Sequence, residues 1–256
     1  MIIAVLNSKG GVGKTTTAVN LAAALASPKR RVLIVDLDSQ ASASRWLGIE
    51  PKDLRPSSAS CLLEKYPILK AVRHTATPNL DLLPGSIELA NADVALCAIR
   101  GREVALRRML EKVAAHYDLI VLDCPPSLSL LAVNAIVAAD GVIVPVTPEP
   151  LAVDALDALL ASIDRVGMRL APKRRVLGLL LTLVDGHRTP TREMVEQLRS
   201  AHRDKLFHTE IRWAAALADA PLARKTILEI APKSPSTDAF RRLAGELLQR
   251  MPAIRH

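Results

Sequence analysis

Aromatic residues are nearly missing from this 256-residue chain, which has two each of Trp, Tyr and Phe, 2% in all. Proteins that hold single-stranded nucleic acid stack successive bases on aromatic rings, so that mode of binding is disfavoured. Cysteine is as sparse. Cys61, Cys97 and Cys124 are odd in number and lack metal-ligand spacing, which points to free or buried thiols in a reducing compartment. Half of the residues are apolar, yet no run reaches the ~20 residues that a membrane-spanning helix needs. Met1-Ile2-Ile3 has no charged n-region and leads straight into an apolar strand, so no secretory leader is expected. The length suits one sizeable α/β core, expected as a single cytoplasmic domain over 1–256.

What the chain does have begins at residue 8. Ser8-Lys9-Gly10-Gly11-Val12-Gly13-Lys14-Thr15-Thr16-Thr17 follows the apolar run Ile2–Leu6 and precedes an alanine-rich helical stretch. That placement suits a phosphate-binding loop, with a strand delivering the loop and a helix N-terminus receiving the anion. Gly10, Gly11 and Gly13 let backbone N–H groups turn toward phosphate oxygens without Cβ clashes. Lys14 supplies charge for the β- and γ-phosphates, and the Thr15 hydroxyl is a fitting ligand for Mg²⁺. Lys9 to Thr16 is therefore the expected nucleoside-triphosphate site.

Apolar runs and helical stretches alternate along the rest of the chain. Strands are expected at Ile2–Leu6, Val32–Val35, Leu80–Leu83, Leu119–Leu122, Val142–Val146 and Val176–Leu183. Helices are expected at Thr15–Ala26, Arg102–Ala115, Leu130–Ala138, Val153–Val166, Thr191–His202 and Thr237–Arg250. Several of the strand runs are continuously apolar, as parallel strands covered on both faces should be. The expected fold is a doubly wound, mostly parallel α/β sheet of the P-loop NTPase kind, with ligands outside the carboxyl ends of the strands.

The loop departs from G-x-x-x-x-G-K-[ST] at its start, where Ser8 replaces glycine and a second lysine, Lys9, follows. K-G-G-V-G-K-T-T-T is the deviant Walker A pattern, and through it the chain resembles the ParA/MinD family of partition and positioning ATPases. The resemblance implies that Lys9 reaches across a dimer interface to phosphates held by the other subunit. Read from the residue alone, Lys9 is a solvated loop lysine. Val35-Asp36-Leu37-Asp38-Ser39-Gln40 resembles the family's V-D-x-D-x-Q segment, which implies that Asp38 positions or activates the attacking water while Asp36 supports the Mg²⁺ shell. Leu119-Ile120-Val121-Leu122-Asp123 has the form of a Walker B strand, whose Asp123 would hold Mg²⁺ through a water. Cys124-Pro125-Pro126-Ser127 continues it as a further family signature. Position 124 carries a thiol where many fast ATPases carry glutamate, so unstimulated hydrolysis should be slow. The metal candidates are thus Thr15, Asp36, Asp38 and Asp123, and the catalytic ones Lys9, Lys14 and Asp38.

The resemblance covers Met1 to about Gln249. Leu180-Leu181-Thr182-Leu183-Val184-Asp185 resembles the segment bordering the nucleotide base. Ile211-Arg212-Trp213-Ala214-Ala215-Ala216-Leu217-Ala218-Asp219-Ala220-Pro221 aligns with a segment that usually reads I-P-R-N-V-R-L-S-E-A-P. Here Arg212 replaces the proline and Ala216 replaces an arginine that contacts DNA in relatives.

Charge is unevenly spread. Residues 173–256 hold 16 Lys/Arg against 9 Asp/Glu, a net of +7, whereas residues 1–172 hold 18 against 17. A basic surface apart from the nucleotide site suits a polyanion-binding ATPase. Arg188, Arg192, Arg199, Arg203, Arg212, Arg224 and Lys225 are the candidate DNA contacts, directed at phosphates of duplex DNA without sequence readout. The resemblance implies an ATP- and Mg²⁺-dependent homodimer on nonspecific, nucleoid DNA. A ParB-like protein or cargo adaptor would stimulate its hydrolysis, and the cargo would be a chromosome, a plasmid or a protein assembly. One alternative is a MinD-like membrane protein, for which Phe240, Leu243, Leu247, Leu248 and Met251 form an apolar stripe. Only Pro252–His256 follows that stripe, too little for an interfacial anchor. The other alternative is a soluble metabolic or maturation ATPase of the same fold. Cys97 and Cys124 lack the glycine setting of the cluster-bridging cysteines in the related nitrogenase iron protein.

Overall fold

Seven strands line up in one sheet in the computed structural model, which describes residues 1–150, 152–171, 175–186 and 188–251. They are β1 (Ile2–Val5), β2 (Val32–Asp36), β3 (Arg73–His74), β4 (Leu80–Leu83), β5 (Leu119–Asp123), β6 (Gly141–Val146) and β7 (Arg175–Leu181), in the spatial order β3-β4-β2-β5-β1-β6-β7. Every pairing is parallel except β3 with β4.

The strands are apolar throughout because both faces are covered. Successive side chains point to opposite sides, so Ile3 and Val5 join one core and Ala4 and Leu6 the other. The first core is roofed by α1 (Lys14–Leu25), α2 (Ser42–Trp46) and helices from the end of the chain. The opposite core collects α3 (Ser58–Leu63), α4 (Ile68–Ala71), α5 (Ala92–Cys97), α6 (Ala105–Glu111), α7 (Leu130–Ala138), α8 (Ala152–Leu170) and α9 (Thr189–His202). The chain then returns to the first face with α10 (Ala215–Asp219), α11 (Ile227–Ile230) and α12 (Pro235–Arg250). The doubly wound α/β architecture expected from the sequence is present.

The apolar stripe of α12 belongs to the first core. Phe240, Leu243 and Leu247 are fully buried there, and Leu248 and Met251 pack partly against it. Those side chains are therefore not a face offered to a lipid surface. The five-residue tail beyond Met251 lies outside the described residues, as do Lys173, Arg174 and Arg255 of the basic excess. Among the described residues no helix is long and apolar enough to cross a membrane.

Three local departures have physical causes. The helix expected over Arg102–Ala115 is α-helical only at Ala105–Glu111, with 3₁₀ turns at Arg102–Val104 and Ala114–His116. β7 stops at Leu181 because Leu183 takes a left-handed φ of 53°, which a strand cannot continue through. β3 was not legible at all: two polar residues, Arg73 and His74, pair with Leu82 and Asp81 at the sheet edge.

Candidate functional site

The carboxyl ends of β1, β2 and β5 meet at one corner. The register sets Val5 beside Asp123 and Asp36 beside Asp123, so two aspartates end adjacent parallel strands next to the loop that leaves β1. Gly11 and Gly13 adopt left-handed φ values of 75° and 77°, available to them without a Cβ penalty. α1 starts at Lys14 with Gly13 as its cap, and the Thr17 N–H to Gly13 carbonyl bond of 2.9 Å is its first. The N–H groups at the helix start are left for a ligand. Two anchors hold the loop: the Asn7 amide donates to the Pro145 carbonyl at 2.7 Å, and the Thr182 hydroxyl donates to the Val12 carbonyl at 2.9 Å.

Lys14 is buried and its ammonium donates to the Lys9 carbonyl at 2.7 Å, closing the loop around its own charge. Burial pushes its pKa down, and the nearby carboxylates of Asp123 and Asp38 oppose that shift. Asp123 is fully buried, and among the described residues neither of its oxygens has a well-formed hydrogen bond. Its carboxyl is pushed well above the usual range, first by burial and then by Asp36, with the nearby Thr15 hydroxyl favouring the charged form. Buried carboxylate oxygens are rarely left unpartnered, and a divalent cation beside Thr15 and the phosphates would satisfy them with hard oxygen coordination. The donor set therefore fits Mg²⁺.

Asp36 is fully buried as well, but its oxygens are already engaged. Its Oδ2 accepts from the Ser44 N–H at 2.9 Å and the Ser44 hydroxyl at 2.6 Å, and its Oδ1 accepts from the Asp38 N–H at 3.1 Å. Burial raises its pKa to about 6 against these bonds. Gly85 completes the packing, since a Cβ there would come within 2.8 Å of the Asp36 Cγ and of the Asp38 carbonyl oxygen. Asp36 thus fixes the backbone from which Asp38 projects. Asp38 itself is half-buried, and its Oδ1 accepts from the Gln40 N–H at 2.9 Å. Cys124 is buried and its thiol pKa is pushed up by burial, so it stays protonated and adds no base beside Asp123. Lys9 pairs with Glu149 in the loop after β6, each side chain more than half exposed. Asn7, Ser44, Gly85 and Glu149 were not singled out in the sequence, and Thr182 only as part of the segment expected to border the base. They are tied in chiefly by contacts between segments far apart in sequence, and such contacts leave no local pattern.

The basic candidates divide into groups. Arg199 and Arg212 both reach Glu210, at 3.3 and 3.0 Å, and border a cleft of about 830 Å³ that also takes in Trp213 and the start of α12. Arg242 joins them there from α12. It was not among the residues singled out in the sequence. Arg188 and Arg192 stand exposed at the N-terminal end of α9, and Arg203 at its C-terminal end. Arg224, at a left-handed φ of 53°, is paired with Glu50, and the Lys225 carbonyl accepts from the Trp46 indole at 2.8 Å.

A family model described as an AAA domain matches residues 1–176. The Bacillus subtilis sporulation initiation inhibitor protein Soj is 39% identical over 246 residues, spanning 96% of this chain and 97% of that protein. The chain belongs to the ParA/MinD family. The chromosome-partitioning ATPase Soj of Thermus thermophilus is 43% identical over 249 residues, spanning 97% of this chain and 96% of its own length. Among solved structures, that of a Mycobacterium smegmatis protein named cobyrinic acid a,c-diamide synthase, with bound ATP analogue and magnesium, superposes with a TM-score of 0.85 at 34% identity. It covers 99% of this chain and 96% of that one. This ParA/MinD-family protein is accordingly an ATPase, and ATP and Mg²⁺ are its cofactors.

Proposed function

We propose that this protein is a positioning or partition switch, in which ATP at the β1–β5 corner drives dimerisation and the dimer binds duplex DNA without sequence preference. The observation that carries the reading is the state of Lys9. Its ammonium is not bonded within the phosphate loop, as that of Lys14 is, but sits on an exposed ion pair with Glu149, an interaction of small net worth. It is free to exchange Glu149 for the phosphates of a second subunit.

Within the corner, the N–H groups from Gly10 to Thr16 and the Lys14 ammonium bind the phosphates. Thr15 and Asp123 would hold Mg²⁺, which when bound would supply positive charge against the phosphates, and Asp36 supports that site by fixing the Asp38 turn. Asp38 orients the attacking water. With Cys124 neutral, no second base adjoins Asp123, so hydrolysis is slow until a ParB-like protein or cargo adaptor completes the site. The basic surface of the final third supplies phosphate contacts, and dimerisation doubles it. Such a protein works in the cytoplasm on the nucleoid and hands a chromosome, plasmid or protein assembly along it.

The name of the Mycobacterium smegmatis structure raises a second reading, a soluble metabolic ATPase of the same fold. Light scattering separates the two. ATP should double the mass of the wild-type protein and leave K9A monomeric although K9A still binds ATP. Equal dimerisation by K9A contradicts the cross-subunit role, and a wild type that stays monomeric with ATP favours the metabolic reading.

A further inference from the structure

Trp213 is one of only six aromatic side chains, and it is 63% exposed. Leaving so large an apolar ring in water forfeits burial energy. Its backbone is nevertheless fixed: the Trp213 backbone N–H donates to the Val184 carbonyl at 3.2 Å, while the Val184 N–H donates to the Ile211 carbonyl at 3.2 Å. This short parallel bridge brings Trp213 toward Leu183, itself 39% exposed and held at a left-handed φ of 53°. Backbone strain in a non-glycine residue persists where the surroundings enforce it, often beside a ligand. Leu183 and Trp213 line a cavity of about 130 Å³ that opens directly onto Gly13 and Thr16, the end of the phosphate loop away from Asp36 and Asp123. Ala214 and Thr182 form further parts of its wall, and among the described residues no carboxylate or amide side chain lines it.

We infer that Trp213 is the base platform of the bound nucleotide, its indole stacking on the purine ring while Leu183 contacts the base from across the cavity. The inference rests on ATP occupying the phosphate loop and goes beyond it in assigning the base contact to a side chain that stands where the family segment has arginine. With no carboxylate or amide in its wall, and with the Thr182 hydroxyl already given to the Val12 carbonyl, the cavity holds the ring mainly by stacking. Trp213 also borders the cleft of Arg199, Arg212 and Arg242, so the platform joins the nucleotide to the basic face.

Binding of ATP and of inorganic tripolyphosphate is measured by calorimetry for the wild type, W213A and W213F. Loss of stacking should weaken ATP about tenfold in W213A, leave tripolyphosphate unchanged in all three proteins, and be largely restored in W213F. Emission gives a second readout, because Trp46 is buried with its indole bonded to the Lys225 carbonyl. ATP should alter the fluorescence of the wild type and not that of W213F, and tripolyphosphate should alter neither. Equal ATP affinity of W213A and wild type, or an equal loss for tripolyphosphate, overturns the inference. Failure of the wild type to bind either ligand would instead overturn the nucleotide site on which it rests.

Discussion

The nucleotide corner and the basic face are built in opposite ways. Lys14, Asp36 and Asp123 are each less than a tenth exposed and sit on strand ends or a helix start whose positions the sheet register dictates. Arg199, Arg212 and Arg242 come from three separate segments, and the first two share the partner Glu210. A buried charge without a partner is costly, so the charged groups at the corner are held in defined positions. An exposed arginine costs little wherever it lies, so the face tolerates rearrangement. Precision is concentrated where water is excluded, and long-range attraction suffices where it is not.

The comparison is broken most severely at Lys14. K14A removes the principal counter-charge of the phosphates and should weaken ATP binding about 100-fold or more. The folded state should survive, because the substitution removes a single lysine-to-carbonyl hydrogen bond among the described residues. Calorimetry with ATP checks this, and near wild-type affinity would remove Lys14 from the site.

D38A should cut single-turnover hydrolysis about 10²–10⁴-fold while ATP binding and the dimer persist. Unchanged hydrolysis would shift the water-orienting role away from Asp38 toward Asp123.

The corner also stores a penalty that can be released. D123N should stabilise the nucleotide-free protein by about 1–3 kcal/mol, because it replaces a buried, unpartnered carboxylate by a neutral group. The same change should weaken the Mg²⁺-dependent part of ATP binding. The raised carboxyl groups set the pH dependence. A group whose folded pKa exceeds its unfolded value stabilises the fold below the unfolded pKa, and that stability is lost as pH rises through the folded one. With Asp36 raised from 3.8 to about 6, and Asp123 raised as well, wild-type stability should decline from pH 4 upward through pH 6, and D123N should decline less. Thermal melts with and without Mg²⁺–ATP across that range provide the measurement. A D123N protein that melts lower than wild type at pH 7 contradicts the account.

These contrasts also explain what the sequence disclosed. The phosphate loop, Asp38 and Asp123 could be read because a strand, a turn and a helix start are local, and their spacing is the chemistry. The sheet could be read because both of its faces are covered, which leaves uninterrupted apolar runs such as Leu119–Leu122. Ser44 and Gly85 could not be read, since they matter only through Asp36, which lies 8 residues from Ser44 in sequence and is packed against Gly85 in space. Nor could the grouping of Arg199, Arg212 and Arg242 be foreseen, since it depends on how α9, the segment before α10 and α12 come together. Two-residue β3 and the short helices between Ser42 and Cys97 are too brief to display a period.

On the basic face the effects should be smaller and shared. Charge reversal of Arg188, Arg192 and Arg199 together should weaken duplex binding equally for unrelated sequences and leave ATP affinity unchanged. Each arginine withdrawn from a phosphate should flatten the salt dependence by about one unit of slope. Reversal of Arg212 and Arg242 tests the cleft by the same gel-shift titration, and a change confined to one DNA sequence would contradict contact by phosphates alone.

The central claim, that the buried corner governs the exposed face, is tested most directly with D38A protein in a mobility-shift titration against duplex DNA. It is run with ATP, with ADP and without nucleotide, each at two salt concentrations. Binding is expected with ATP alone, steeply weakened by salt and indifferent to sequence. Equal binding in all three nucleotide states, or none with ATP, would contradict the claim.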